Sequence, residues 1–166
     1  MTTVTETSRT VRAIPAEVLA ELRRRDDSGR TPDPAATRDG GEPLRCCLTR
    51  ARPGERIVLL SYAPLRRWAA ETGCDPGAYE ETGPVFGHAE PCPGPETPGG
   101  WPAGFHGGQR VLRAYSGAGR ILRGVLGEPA ELPRLAGELL ADPEVAVVHV
   151  RAVEFGCFMH EVRRAG

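Results

Sequence analysis

Residues 145–162 read Val145-Ala-Val-Val-His149-Val-Arg151-Ala-Val-Glu154-Phe-Gly156-Cys157-Phe-Met-His160-Glu-Val162. β-Branched residues dominate both ends, and a turn runs through Gly156, so the stretch predicts two antiparallel strands, 145–151 and 157–162. Side chains on a strand alternate between faces. Ala146, Val148 and Val150 share one face, and His149 and Arg151 share the other with Val145 and Val147. A turn centred on Glu154 sets Arg151 opposite Cys157 and His149 opposite Met159.

Working outward, residues 109–115 and 120–126 flank Ser116-Gly117-Ala118-Gly119, a second hairpin. A turn centred on Ala118 makes Arg113 face Arg123, beside Val111, Tyr115, Ile121 and Val125. Like charges directly opposite repel unless something negative lies between them, and Glu81 or an anionic ligand fits that need. Between the hairpins a helix over 133–141 presents Leu132, Leu135, Leu139 and Leu140, and Asp142-Pro143 ends it.

The amino-terminal half adds helices and a further strand. Pro15 opens a helix with Ile14, Val18, Leu19 and Leu22 on one stripe, closed by Arg23–Arg24–Arg25 and Gly29. Residues 26–43 are a polar loop. Residues 55–62 read as a strand apolar on both faces, which suits a central strand covered on both sides. A short helix spans 64–72 with Leu65, Trp68 and Ala69 inward and Gly73 as its stop. Residues 84–88 form another short strand. Residues 89–108 hold five prolines and six glycines, a long loop pinned by Trp101 and Phe105. Strands and helices segregate, so the expected fold is α+β: one domain over 13–166 with a largely antiparallel or mixed sheet and two or three helices. Residues 1–12, threonine-rich and short of large apolar groups, are expected to be a disordered arm.

Composition narrows the function. The chain has 166 residues and a net charge of −1, so there is no long-range field for nucleic acid or an acidic membrane. All 21 basic residues are arginine. Without lysine, Schiff-base chemistry and Walker-type nucleotide sites are excluded. Five cysteines (Cys46, Cys47, Cys74, Cys92 and Cys157) at irregular spacing make a poor disulfide framework. No secretory or membrane-spanning segment is legible, so a cytoplasmic location with free thiols is expected.

The predicted register places Cys157 beside the Arg151 guanidinium and near the His149 imidazole. Both favour the nucleophilic thiolate, making Cys157 a candidate nucleophile with His149 as its base. The competing reading is a small buried hydrophobe between Gly156 and Phe158. No cofactor is expected: the glycines from Gly117 to Gly124 have the wrong spacing for a dinucleotide loop and suit a hairpin turn. Cys46 and Cys47, His88 and Cys92, His106, and Cys157 with His160 offer ligand types without a recognised metal spacing, so no metal site is assigned. Cys157 and His160, three apart on a strand, point to opposite faces.

Five segments then occur in order: Pro43-Leu-Arg45-Cys-Cys-Leu48; Pro53-Gly-Glu55 leading into Leu59-Leu-Ser-Tyr62; Tyr79-Glu-Glu81-Thr-Gly-Pro-Val-Phe86; Leu112-Arg-Ala-Tyr115; and Val148-His-Val-Arg151 with Gly156-Cys-Phe158. Together they resemble an uncharacterised bacterial family, domain of unknown function 1203, over about residues 14–164. The resemblance implies a small α+β protein of the bacterial cytoplasm and supplies no activity, substrate or catalytic residue. Members commonly carry cysteine where Leu44 stands, and some carry histidine where Arg151 stands, which argues against a cysteine or histidine pair as the essential chemistry. Arg45, Glu81, His149 and Cys157 match the pattern. The leading expectation is a site for a small anionic molecule built from Arg45, Arg113, Arg151, Tyr79 and Glu81 around Cys157 and His149, with the 89–108 loop as its lid. The alternatives are a non-catalytic interaction protein, such as a homodimer pairing through strand edges with Trp68, Trp101 and Phe105 as contacts, and a metal-binding protein.

Overall fold

Strand β1 (Arg9–Arg12) comes first in the computed structural model, which describes residues 8–166. The strand corrects the expected arm at its inner end: Val11 is buried, and the segment pairs along the carboxyl-terminal strand. Residues 1–7 of that arm lie outside the described residues. Helix α1 (Ala16–Arg24) follows Pro15, buries Leu19 and Leu22, and carries Arg23 and Arg24 in its last turn, where cations oppose the helix dipole. Three two-residue strands come next, β2 (Ala35–Ala36), β3 (Pro43–Leu44) and β4 (Thr49–Arg50). Then come β5 (Arg56–Tyr62), α2 (Pro64–Thr72) and β6 (Gly83–His88). Both ends of α2 follow from residue type. Pro64 sits where a missing N–H costs nothing, and Gly73 takes the left-handed φ of 79° that ends the helix.

The carboxyl-terminal half holds β7 (Arg110–Ser116), β8 (Ile121–Gly127), α3 (Leu132–Ala141), β9 (Val145–Ala152) and β10 (Phe158–Arg164). The α+β expectation is met by two five-stranded sheets and three helices. The first sheet, β1-β10-β9-β7-β8, is antiparallel throughout. The second, β2-β5-β6-β3-β4, contains one parallel pair, β3 with β6. Helix α3 covers one face of the first sheet, where Leu132, Ala136 and Leu140 pack on Leu112, Ala114, Val148 and Val150. Leu65 and Trp68 of α2 pack on Tyr115 and Val147. Helix α1 packs Leu19 and Leu22 against Val58, Leu60 and Val85 of the second sheet.

Three sequence expectations are corrected. Leu59 of β5 is 51% exposed, so one face of that strand is covered and the other only in part. In the β7–β8 hairpin Tyr115 pairs with Ile121, as a turn centred on Ala118 requires, but an irregularity there shifts the register and moves Arg113 to Gly124. Arg123 therefore does not oppose Arg113. In the β9–β10 hairpin Arg151 pairs with Phe158, and a bulge at Met159 carries His149 to Glu161. A slip of one residue reverses the side a side chain takes. Cys157, next to Phe158, is thereby turned away from His149 and Arg151.

Candidate functional site

The polar face of the first sheet carries most of the residues expected to bind a ligand, and there they bind one another. Glu81 lies in the loop before β6 with its carboxylate directed onto β7 and β9. One oxygen accepts from Arg113 Nη1 at 3.1 Å. The other accepts from the Tyr115 hydroxyl and lies 3.5 Å from Arg151 Nη2. Burial, then the Glu81 charge, pushes the Tyr115 hydroxyl above its ordinary value, so it stays protonated and donates. Burial, then the nearby Arg113 charge, pulls Arg151 down. Glu81 holds a φ of 45°, rare for a residue with a side chain, and the three donors gripping its carboxylate keep it there.

His149 joins the same layer. It is fully buried, its ring lies 5.0 Å from that of Tyr115, and Nε2 is 3.0 Å from Glu161 Oε1. Burial alone would raise the Glu161 carboxyl, but hydrogen bonds from His149 and Arg163 hold it below its usual value. Tyr79 is half-buried against Leu65 and Trp68, with Arg120 over its ring at 5.9 Å. His149, Arg113, Arg151 and Glu81 are thus partners in an interior network, and Cys157 is not among them. The nucleophile–base pair expected from the sequence is not assembled. Trp68 and Phe105 are buried as well, at 6% and 1% exposure, which removes them as surface contacts for a partner copy.

Arg45 and Cys157 meet elsewhere. They line a cavity of about 710 Å³ together with Arg50, Arg110, Glu154 and the apolar Leu59, Phe86, Phe155 and Met159. The backbone of Arg45 is tied at both polar atoms: its N–H donates to the Phe86 carbonyl, and its carbonyl accepts from Ile14. Its side chain donates to the Phe158 carbonyl at 2.7 Å, and so joins the two sheets. Burial, opposed by nearby Cys157 and reinforced by Arg50 and Arg110, pulls the Arg45 guanidinium down to about 10. Arg50 donates to the Phe105 carbonyl at 2.8 Å and lies over the Phe105 ring at 5.7 Å. Arg110 donates from Nε to His106 Nδ1 at 3.2 Å. That bond places the His106 proton on Nε2, where it is donated to His160 Nε2 at 2.8 Å. Burial pulls both imidazoles down, His106 to about 3 and His160 well below its usual value.

The three cavity arginines share one carboxylate, Glu154, 3.6 Å from Arg110 and 58% exposed. A second cavity, of about 410 Å³, is lined by Arg12, Arg67 and Arg163 and equally by Glu17, Glu71 and Glu161. Of these two cavities, the Arg45 cavity is the one with an excess of cations.

On the other side of the residue-45 backbone, Cys46 and Cys47 come together with His88, the last residue of β6, and Cys92, four residues beyond. Their donor atoms all lie within 4.8 Å of one another. The Cys46 Sγ is 3.9 Å from the Cys47 Sγ and 3.3 Å from His88 Nδ1. The hydrogen bond between the two thiols holds Cys47 below the usual thiol value and, with burial, pushes Cys46 up. His88 Nε2 is 2.6 Å from Glu55 Oε2. The sequence supplied these ligand types but not their meeting, because β3, only two residues long, shows no period and yet pairs in parallel with β6. Arg50 and Arg110 were missed for a like reason, since only the packing of the two sheets brings them to Arg45.

Geometry defines the class: a two-sheet α+β protein with one cation-rich cavity and one cysteine–histidine cluster. No helix among the described residues is long and apolar enough to cross a membrane. The chain belongs to the family described as protein of unknown function DUF1203, whose model matches residues 41–164. No curated protein and no solved structure matches the chain.

Proposed function

We propose that the protein binds a small organic anion with an apolar body in the cavity between Arg45, Arg50 and Arg110. The observation that carries this reading is the charge count: three guanidinium groups face one exposed carboxylate around about 710 Å³. Arg45 and Arg110 are buried and need counter-charge, Arg50 is exposed at the same cavity, and guanidinium grips carboxylate, sulfonate and phosphate through paired N–H donors. Leu59, Phe86 and Met159 supply an apolar wall, and the volume lies within the range of small-molecule sites. Phe155, at 90% exposure, stands at the rim, where a ligand would cover it.

Binding rather than turnover is the reading that the residues support. Cys157 lines the cavity, but its candidate base His149 bonds Glu161 inside the sheet. The same reading keeps the protein in the cytoplasm, where its five unpaired cysteines stay reduced.

The test uses 8-anilinonaphthalene-1-sulfonate, an aromatic sulfonate, and N-phenyl-1-naphthylamine, which lacks the anionic group. The sulfonate should bind at one saturable site and weaken by about tenfold in Arg50→Gln, the value of one charge-assisted hydrogen-bond pair. Equal binding of the neutral compound, or unchanged affinity in Arg50→Gln, would refute the proposal.

A further inference from the structure

We infer that Cys46, Cys47, His88 and Cys92 form a four-ligand site for a thiophilic divalent cation, with zinc the best fit. The case rests on distances. With zinc–sulfur and zinc–nitrogen bonds of about 2.3 and 2.05 Å, a tetrahedral site spaces two sulfurs about 3.8 Å apart, and sulfur and nitrogen about 3.6 Å apart. The Cys46–Cys47 sulfurs are 3.9 Å apart, and His88 Nδ1 lies 3.3 and 3.8 Å from them. Three edges of the tetrahedron are therefore already within a few tenths of an ångström of their bound lengths. The Cys92 sulfur lies within 4.8 Å of every other donor.

Adjacent cysteines on an extended chain point to opposite sides. Residues 45–48 are not extended. The Leu48 N–H closes a turn onto the Leu44 carbonyl, and Leu48 takes a φ of 57°. That turn is what lets both sulfurs face His88.

The surroundings match those of a metal site. A ligating histidine almost always donates its other ring N–H to a carboxylate or carbonyl. Glu55 accepts from His88 Nε2 at 2.6 Å, so Nδ1 turns its lone pair toward the sulfurs. The His88 backbone N–H donates to the Cys46 sulfur at 3.3 Å, and the Thr49 hydroxyl lies 3.1 Å from the Cys47 sulfur. Both donors can stabilise thiolate ligands. Cys46 and Cys92 also border a cavity of about 230 Å³, which gives a cation access. Three sulfurs and one imidazole select a soft, tetrahedral ion over magnesium or calcium. Binding expels the thiol protons to solvent and leaves oxidation states unchanged. The ion would fasten the start of the 89–108 loop to β3 and β4, two-residue strands that hold little by themselves.

The experiment titrates the reduced, chelator-treated full chain with cobalt(II) as a spectroscopic probe. One equivalent should give the visible bands of tetrahedral cobalt and a sulfur-to-metal charge-transfer band, and zinc should displace it. Cys92→Ser should lower cobalt affinity by at least about a hundredfold and Glu55→Gln by ten- to a hundredfold, as losses of a ligand and of its orienting carboxylate do. Cys74→Ser should change neither affinity nor spectrum. If Cys92→Ser does not fold, alkylation of the wild-type chain decides. Zinc should protect Cys46, Cys47 and Cys92 and leave Cys74 and Cys157 reactive. A chain that takes up no cobalt, wild-type binding in Cys92→Ser, or alkylation of all five thiols regardless of zinc overturns the inference. So does a chain that refuses metal and instead forms a Cys46–Cys47 disulfide, which would make the pair a redox couple.

Discussion

Two groups of arginines sit in this fold, and their carboxylates set them apart. Around Glu81, Arg113 and Arg151 share one carboxylate whose oxygens also hold the Tyr115 hydroxyl. Around the cavity, Arg45 and Arg50 donate to the carbonyls of Phe158 and Phe105, which neutralise no charge, and Arg110 has the exposed Glu154 at 3.6 Å. The first group is finished by the protein itself and reads as structure. The second has three cations to one exposed carboxylate, and is the site proposed to take a further anion. Residue type could not separate them; the placement of the carboxylate does, Glu81 being held by two arginines and a tyrosine and Glu154 being 58% exposed beside one arginine.

The largest effect that can break this comparison is the loss of Glu81. Glu81→Ala leaves Arg113, Arg151 and Tyr115 without their acceptor and should cost about 3 kcal/mol. That is the low end for breaking a buried pair, because Arg113 is one-third exposed. Chemical denaturation measures it, and a loss under about 1 kcal/mol would strip the network of its structural role. Sulfonate affinity in the folded fraction should be unchanged.

Acid should act next. Burial holds His106 and His160 uncharged in the fold, below the ordinary imidazole value of about 6.5 that they regain on unfolding. Their folded-state values are depressed, so the unfolded chain binds more protons below about pH 6.5. Stability is fully present above that pH. It should fall by about 1.4 kcal/mol per pH unit for each histidine as pH drops from about 6.5 toward the folded values. His106→Gln should flatten the slope by about half, read from denaturation midpoints between pH 7 and 5; an unchanged slope would contradict neutral burial.

The smallest effects sharpen the cavity side. Leu59→Ser should alter stability by no more than about 0.5 kcal/mol, since the side chain is half exposed, yet weaken the aromatic sulfonate several-fold. Glu154→Gln removes the one competing carboxylate and should tighten the sulfonate two- to threefold, measured by fluorescence titration. Weaker binding in that variant would count against the charge argument.

Much of the fold was legible because local rules carried it. Pro64 and Gly73 marked both ends of α2, and alternation revealed both hairpins. Their registers were not legible, because an irregularity beside Tyr115 and a bulge at Met159 leave no trace in periodicity. Those shifts decided the site. They gave His149 to Glu161 and turned Cys157 toward Arg45. Glu81 was readable as a counter-charge for Arg113, but from an Arg113–Arg123 pair that the register shift removes; Arg151 takes that place. Arg50 and Arg110 were not readable, since they come to Arg45 only when the two sheets pack. Leu59 looked like a buried strand residue because hydrophobicity does not say whether a wall is covered or open to a cavity.

Arg45 and Cys46 are consecutive residues with opposite errands, one serving the cavity and the other the sulfur cluster. A single peptide plane therefore joins the two proposed ligand sites. Whatever tilts it for an ion on one side re-aims a guanidinium on the other. Thermodynamic reciprocity then ties the two affinities together: the factor by which zinc alters sulfonate binding must equal the factor by which the sulfonate alters zinc binding.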